Sequence, residues 1–195
     1  MRVLVIGSSG TIGAEVAKAL RVRHDVVSAS RRTTVAVDID DPASIQSLYG
    51  KIGPVDAVVC AAGAAAFAPL EKLTDDDFSL SLRSKLMGQV NVVRFGIAAV
   101  RDGGSFTITT GVLAQQPIPG SAAVSLGNAG LEGFVRAAAL ELPRGIRINA
   151  VSPGWIAETL SAMGRDPAQG VPASRVAQAY VRSIEGRDSG TVIST

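Results

Sequence analysis

The residues that first suggest chemistry are three glycines. Gly7, Gly10 and Gly13 stand at G-x-x-G-x-x-G spacing, directly after the apolar run Val3-Leu4-Val5-Ile6 and before a helical pattern that begins at Ile12. A bend without Cβ atoms lets backbone N–H groups and the start of the following helix face a diphosphate. The spacing alone also describes an ordinary tight turn. Its place between a strand and an amphipathic helix is what points to a dinucleotide, held by Gly7, Ser9, Gly10, Thr11, Ile12 and Gly13. Arg31 and Arg32 end the second apolar run, where an NAD-selective domain usually has an acid for the ribose hydroxyls. Planar guanidinium groups suit a 2′-phosphate instead. The expectation is NADP(H) as the preferred coenzyme with NAD(H) as the lesser one, against the alternative of two solvated arginines at a turn.

Such a turn needs a parallel sheet behind it. Short β-branched runs at 3–6, 26–30, 34–37, 57–60, 105–109, 147–151 and 191–194 alternate with helical patterns at 12–23, 42–51, 75–100, 122–142 and 173–185. Strands that are nearly continuous in apolar residues are buried on both faces, and strand–helix alternation builds a parallel sheet covered by helices on both sides. The pattern therefore predicts an α/β protein, a Rossmann-type doubly wound parallel sheet of about seven strands, with residues 1–195 as one domain. Thr74 with Asp77 three residues on predicts a capped helix start. The stretch from Trp155 to residue 171 is rich in Gly, Pro and Ala and reads as a short mobile lid.

Composition narrows the classes further. With 47% hydrophobic and 18% charged residues, the chain can bury a large core. The 19 basic and 17 acidic residues are scattered rather than gathered into a stripe, which argues against nucleic acid as a partner. The longest apolar stretch, 57–70, is interrupted by Gly63 and Pro69, so no membrane span is expected. One cysteine, Cys60, cannot form an internal disulfide, and no Cys/His cluster has metal-ligand spacing; the expectation is a cytoplasmic protein without a metal. Cys60 itself reads as strand packing, and His24, beside Asp25 at a turn, as an exposed bystander.

Several separate stretches resemble the short-chain dehydrogenase/reductase family along essentially the whole chain. Beyond the glycine turn, Val37-Asp38-Ile39 is similar to the family's adenine-contacting segment. Cys60-Ala61-Ala62-Gly63 stands where the family has Asn-Asn-Ala-Gly and matches in its second half. The most specific likeness is Ile146-Arg147-Ile148-Asn149-Ala150-Val151-Ser152-Pro153-Gly154, the sixth-strand signature. The resemblance implies strand order 3-2-1-4-5-6-7 and coenzyme contacts from Asp38, Ile39, Ala61, Ala62, Gly63, Pro153, Gly154, Trp155 and Ile156. It also implies a nicotinamide-side role for Thr159, one position later than usual.

The same resemblance exposes substitutions. Family members move a proton with a Tyr whose pKa is lowered by a Lys four residues on, aided by Ser and Asn. Those positions correspond here to Val124, Asn128, Gly111 and Lys85. The Asn and Lys positions thus hold Lys85 and Asn128, as if the two groups had traded places. Lys85, Thr110 and Asn128 become the candidate catalytic residues, because a desolvated lysine can serve as an acid and a threonine can hydrogen-bond a carbonyl. The alternative sends the Lys85 ammonium out to solvent along its stem. The implied function is an NADP(H)-dependent oxidoreductase acting on a small carbonyl or alcohol with a non-standard proton donor. The alternatives are a silent NADP(H)-binding sensor and an interaction protein. Apolar residues such as Val92, Val93, Phe95, Phe134 and Val135 suggest a homodimer or homotetramer through helices 84–100 and 122–142.

Overall fold

The computed structural model describes residues 1–195. Seven strands, β1 (Arg2–Ile6), β2 (Asp25–Ser30), β3 (Val35–Ala36), β4 (Val55–Cys60), β5 (Val100–Thr109), β6 (Arg147–Ser152) and β7 (Val192–Ser194), pair in parallel. Their order is β3-β2-β1-β4-β5-β6-β7, as expected. The chain reverses its direction of winding between β1 and β4, which leaves a crevice at the carboxyl ends of these strands.

Alternation along each strand feeds two cores. Leu4, Ile6, Val58, Cys60, Phe106 and Ile108 point to the face covered by helices α2 (Pro42–Ile52), α4 (Gln89–Gly96) and α5 (Ala122–Ala138). Val3, Val5, Ala57, Val59 and Val151 point to the face covered by α1 (Thr11–Leu20) and α7 (Ala173–Glu185). On that second face β5 contributes threonines rather than aliphatics. Thr107 Oγ1 meets Ser183 Oγ at 2.7 Å, and Thr109 Oγ1 meets Tyr180 Oη at 2.7 Å while donating to Cys60 O at 2.6 Å. Each buried hydroxyl is thereby satisfied, which removes the penalty of placing it in a core.

The expected helix over 75–100 is three pieces. Thr74 and Asp77 form the foreseen reciprocal cap on α3 (Asp75–Leu80). A π-helical stretch, Ser81–Gly88, follows, then α4. Helix α4 ends at Gly96, whose bare Cα packs on the Tyr49 ring, and β5 starts at Val100 because it pairs there with Val55. Helix α5 likewise ends at Ala138, four residues earlier than its pattern suggested. Two surface expectations are corrected. Val92, Val93 and Val135 are at most 1% exposed and belong to the core, with the partly exposed Phe95 and Phe134 packed against it, so these five side chains mainly serve the interior. His24 is not an exposed bystander: its ring is largely buried, with Nε2 3.1 Å from Glu185 Oε1. Cys60 is buried as expected, and burial pushes its thiol up to about 11. No helix is long and apolar enough to cross a membrane.

Candidate functional site

The glycine turn closes the carboxyl end of β1. Gly7 N donates to Ala29 O at 2.8 Å and Gly10 N to Gly7 O at 2.9 Å, which fixes the bend against β2. Gly7 has φ of 84°, and a Cβ there would lie 2.5 Å from Ala61 O. A Cβ on Gly13 would overlap the Gly7 carbonyl, so both positions require glycine. Gly10 caps α1 without a side-chain acceptor, so the N–H groups of Thr11, Ile12 and Gly13 are left for an anion, with the positive end of the helix dipole behind them. These features fit a diphosphate.

A cavity of about 210 Å³ opens in front of this turn. It is bordered by Gly7, Ser9 and Gly10, by Arg31 and Arg32, by Asp38 and Ile39, and by Ala61, Ala62 and Gly63. Sequence reasoning therefore named most of its wall, missing Ile6, Ser30, Val37, Asp40, Ala64 and Ser84, while Thr11, Ile12 and Gly13, also named, lie behind the turn and do not border it. Ser30 carried a signal in hindsight: its N–H donates to Thr33 Oγ1 at 2.7 Å and its Oγ accepts from Arg32 N at 3.0 Å. That tightened turn leaves both arginines exposed at the cavity rim. Asp38 is held from both sides, its N–H on Ser44 Oγ and its Oδ1 accepting from Asp40 N at 3.1 Å.

A second cavity, of about 170 Å³, lies at the carboxyl ends of β5 and β6. Thr110, Gly111, Asn128, Pro153, Gly154, Trp155, Ile156 and Thr159 border it, together with Val112 and Leu113, which the sequence did not single out. Trp155 meets Phe67 edge-on at 6.3 Å and carries the Arg165 guanidinium 5.2 Å above its ring. The segment expected as a lid is closed at its base, with Val171 N donating to Trp155 O and Ala157 N to Val171 O. It holds helix α6 (Ala157–Ala162) and a single 3-10 turn, Pro167–Gln169.

Lys85 borders neither cavity directly. Its stem packs between two glycines, Gly63 and Gly127, whose missing side chains leave the room. Its ammonium donates to Thr109 O at 2.9 Å and Thr110 O at 3.2 Å, inside the protein rather than in solvent. Burial lowers the Lys85 pKa to about 8, only partly opposed by the Cys60 thiol. The neighbouring Gln89, fully buried, grips the same strand: Nε2 donates to Thr109 O and Oε1 accepts from Thr109 N, both at 2.8 Å. No sequence pattern marked Gln89, since its importance depends on the π-helical turn that aims it at β5. Asn128 is 2% exposed, and its Oδ1 has no hydrogen-bond partner. Val124 stands one turn earlier on α5. Neither tyrosine offers a proton here: Tyr49 donates to Val92 O, Tyr180 meets Thr109, and burial raises both.

A family model described as Enoyl-(Acyl carrier protein) reductase matches residues 11–193. Among curated proteins, the chain is 30% identical to pig (Sus scrofa) carbonyl reductase [NADPH] 2, over 85% of this chain and 74% of that protein. It is 29% identical to the hydroxynaphthalene reductase arp2 of Aspergillus fumigatus over 72% of this chain, and spans about half, 54%, of that protein's length. Of solved structures, the protein lin1944 of Listeria innocua is 39% identical with a TM-score of 0.96, covering 100% of this chain and 99% of its own. A small-chain dehydrogenase in complex with NADPH is 30% identical with a TM-score of 0.89, covering 100% and 96%.

Proposed function

The chain belongs to the short-chain dehydrogenase/reductase family, and from that membership we propose that it is an NADP(H)-dependent oxidoreductase acting on a small carbonyl compound or alcohol. The observation that carries this reading is the pairing, in one cavity, of a bare glycine turn with two exposed guanidinium groups, Arg31 and Arg32. In this reading the N–H groups of Thr11, Ile12 and Gly13, with Gly7, Ser9 and Gly10, hold the diphosphate. Arg31 and Arg32 take the 2′-phosphate, Asp38 and Ile39 border the adenosine, and Ala61, Ala62 and Gly63 line the passage to the second cavity. Pro153, Gly154, Trp155 and Ile156 border the nicotinamide end. The NADPH in the names of two relatives supports the same coenzyme. Bound there, the dinucleotide supplies or accepts a hydride.

A proton must also move, and Val124, at the position of the family's acid, has none to exchange. We assign that duty to Lys85. Of its three N–H bonds two are taken by the Thr109 and Thr110 carbonyls, which leaves one for a water that bridges to the second cavity, whose wall Lys85 does not itself form. A pKa of about 8 lies near neutral operating pH, where an acid is most effective. Thr110 and Asn128, both in the wall of the second cavity, orient the reacting group.

Titration with NADPH and NADH by calorimetry, followed by NADPH consumption over a panel of aldehydes, ketones and quinones, tests this. NADPH is expected to bind at least about tenfold more tightly than NADH, and the double substitution Arg31→Ala/Arg32→Ala to remove the difference. Equal affinities overturn the coenzyme assignment. Tight binding without turnover across the panel overturns the enzyme and leaves a module that binds only.

A further inference from the structure

Gln89 has no exposed surface, and its amide is tied down at both ends. Nε2 donates to Thr109 O at 2.8 Å and to Lys85 O at 3.1 Å, while Oε1 accepts from Thr109 N at 2.8 Å. These partners fix which end is which. Turned over, the amide would set its oxygen against two carbonyls and its nitrogen against an N–H. A carboxylate of the same shape has no donor for those two carbonyls, so the position calls for an amide.

The consequence lies at Lys85. A carbonyl oxygen has two lone pairs, and Thr109 O spends one on Gln89 and the other on the Lys85 ammonium at 2.9 Å. With Gln89 in place, that oxygen has nothing further to offer the ammonium. The same amide nitrogen also holds the backbone oxygen of Lys85, so one side chain restrains both the root of the lysine and the nearer acceptor of its tip. Little else acts on the charge. Helix α5 presents Gly127, β5 presents the Thr109 and Thr110 carbonyls, and β4 presents Cys60, whose thiol burial pushes up to about 11. None of the ion pairs of the chain includes Lys85.

We propose that Gln89 is the positioning residue of the proton donor: by taking one lone pair of Thr109 O and holding Lys85 O, it keeps the ammonium at the Thr109 and Thr110 carbonyls with one N–H uncommitted. This rests on the reading of Lys85 as the donor. Gln89 acts through Lys85 and borders neither cavity.

The chain has four lysines, and Lys18, Lys51 and Lys72 are exposed, so NMR of protein isotopically labelled at lysine Cε singles out Lys85 by its titration. Its midpoint in wild type is expected at about 8. Gln89→Met keeps the length of the side chain and returns a lone pair of Thr109 O to the ammonium, which raises the midpoint by at least about 0.5 pH unit. Gln89→Glu puts a carboxylate oxygen in place of Nε2 and raises it further, by at least about 1 pH unit. A role confined to pinning the helix to β5 lowers Tm in both variants and leaves the lysine signal where it was. That result, or a midpoint that falls, overturns the proposal, and the isosteric Glu variant decides alone should the Met variant fail to fold. The second readout is the pH profile of NADPH-dependent carbonyl reduction. In each variant kcat is expected to descend through the same midpoint as the lysine signal, with KM for NADPH within about twofold of wild type. A lysine midpoint that moves while the kcat profile does not refutes Lys85 as the donor and the proposal with it. A lysine signal that stays put refutes the role of Gln89 alone.

Discussion

Replacing Lys85 by methionine is expected to change how stability depends on pH, by an amount the structure sets. Burial lowers the lysine from its ordinary 10.5 to about 8, which corresponds to roughly 3 kcal/mol in favour of the neutral amine. In the window between these two values the unfolded chain holds a proton that the folded one has released, so stability rises with pH there, by at most about 1.4 kcal/mol per unit. Below pH 8 or so both states are protonated and the full penalty is present. Methionine keeps the length of the stem and carries no charge, so the variant lacks this rise. The lost bonds to Thr109 O and Thr110 O offset part of the gain near neutrality, with Gln89 still serving Thr109 O. The assay is urea unfolding of both proteins at several pH values from about 7 to about 10, read as the difference in free energy between them. Taking the difference removes groups that do not feel Lys85, while Cys60, which does, is raised to about 11 and titrates above the window. The variant should lose its advantage, or fall further behind, by about 2–3 kcal/mol across the window. Parallel curves would refute the reasoning, because they would mean that Lys85 titrates as a solvated lysine.

Other outcomes follow from the same geometry. If Lys85 is the proton source, kcat for carbonyl reduction falls as pH rises through about 8, and a flat profile in stopped-flow or steady-state assays from neutrality upward counts against it. Gly13→Ala places a Cβ onto the Gly7 carbonyl, so the turn must open; a Tm lowered by several degrees and NADPH affinity weakened by at least about tenfold are expected from thermal melts and calorimetry. Thr109→Val removes the hydroxyl shared by Cys60 O and Tyr180 and should destabilise by about 2–3 kcal/mol in urea, whereas Tyr180→Phe should cost less, about 1–2 kcal/mol, since Thr109 keeps its bond to Cys60 O.

Much of the fold was legible because the central strands β1, β4 and β6 are buried on both faces and therefore write nearly continuous apolar runs. Helix α7 matched its pattern from Ala173 to Glu185 at both ends. Boundaries failed where tertiary pairing, rather than periodicity, decides: Val100 leaves the helical pattern because Val55 is waiting for it across the sheet. The first cavity was readable because glycine is required at Gly7 and Gly13 for a local reason and two arginines stand together at the end of β2. The second was harder, since Val112 and Leu113 look like any aliphatic pair until β5 and β6 place them beside Trp155. The site of Lys85 was named, but not its surroundings. Gly63 and Gly127 lie far apart in sequence, and only folding brings them to the two sides of one lysine stem.

The rims of the sheet carry a consequence for assembly. Strand β3 offers two residues and β7 three, so each outer edge presents very few unpaired backbone groups. A neighbouring polypeptide finds little there to continue as an added strand, which guards a parallel sheet of this apolar content against growing into aggregates. The apolar side chains that remain exposed lie instead on helix surfaces, Leu82, Met87 and Leu126 among them.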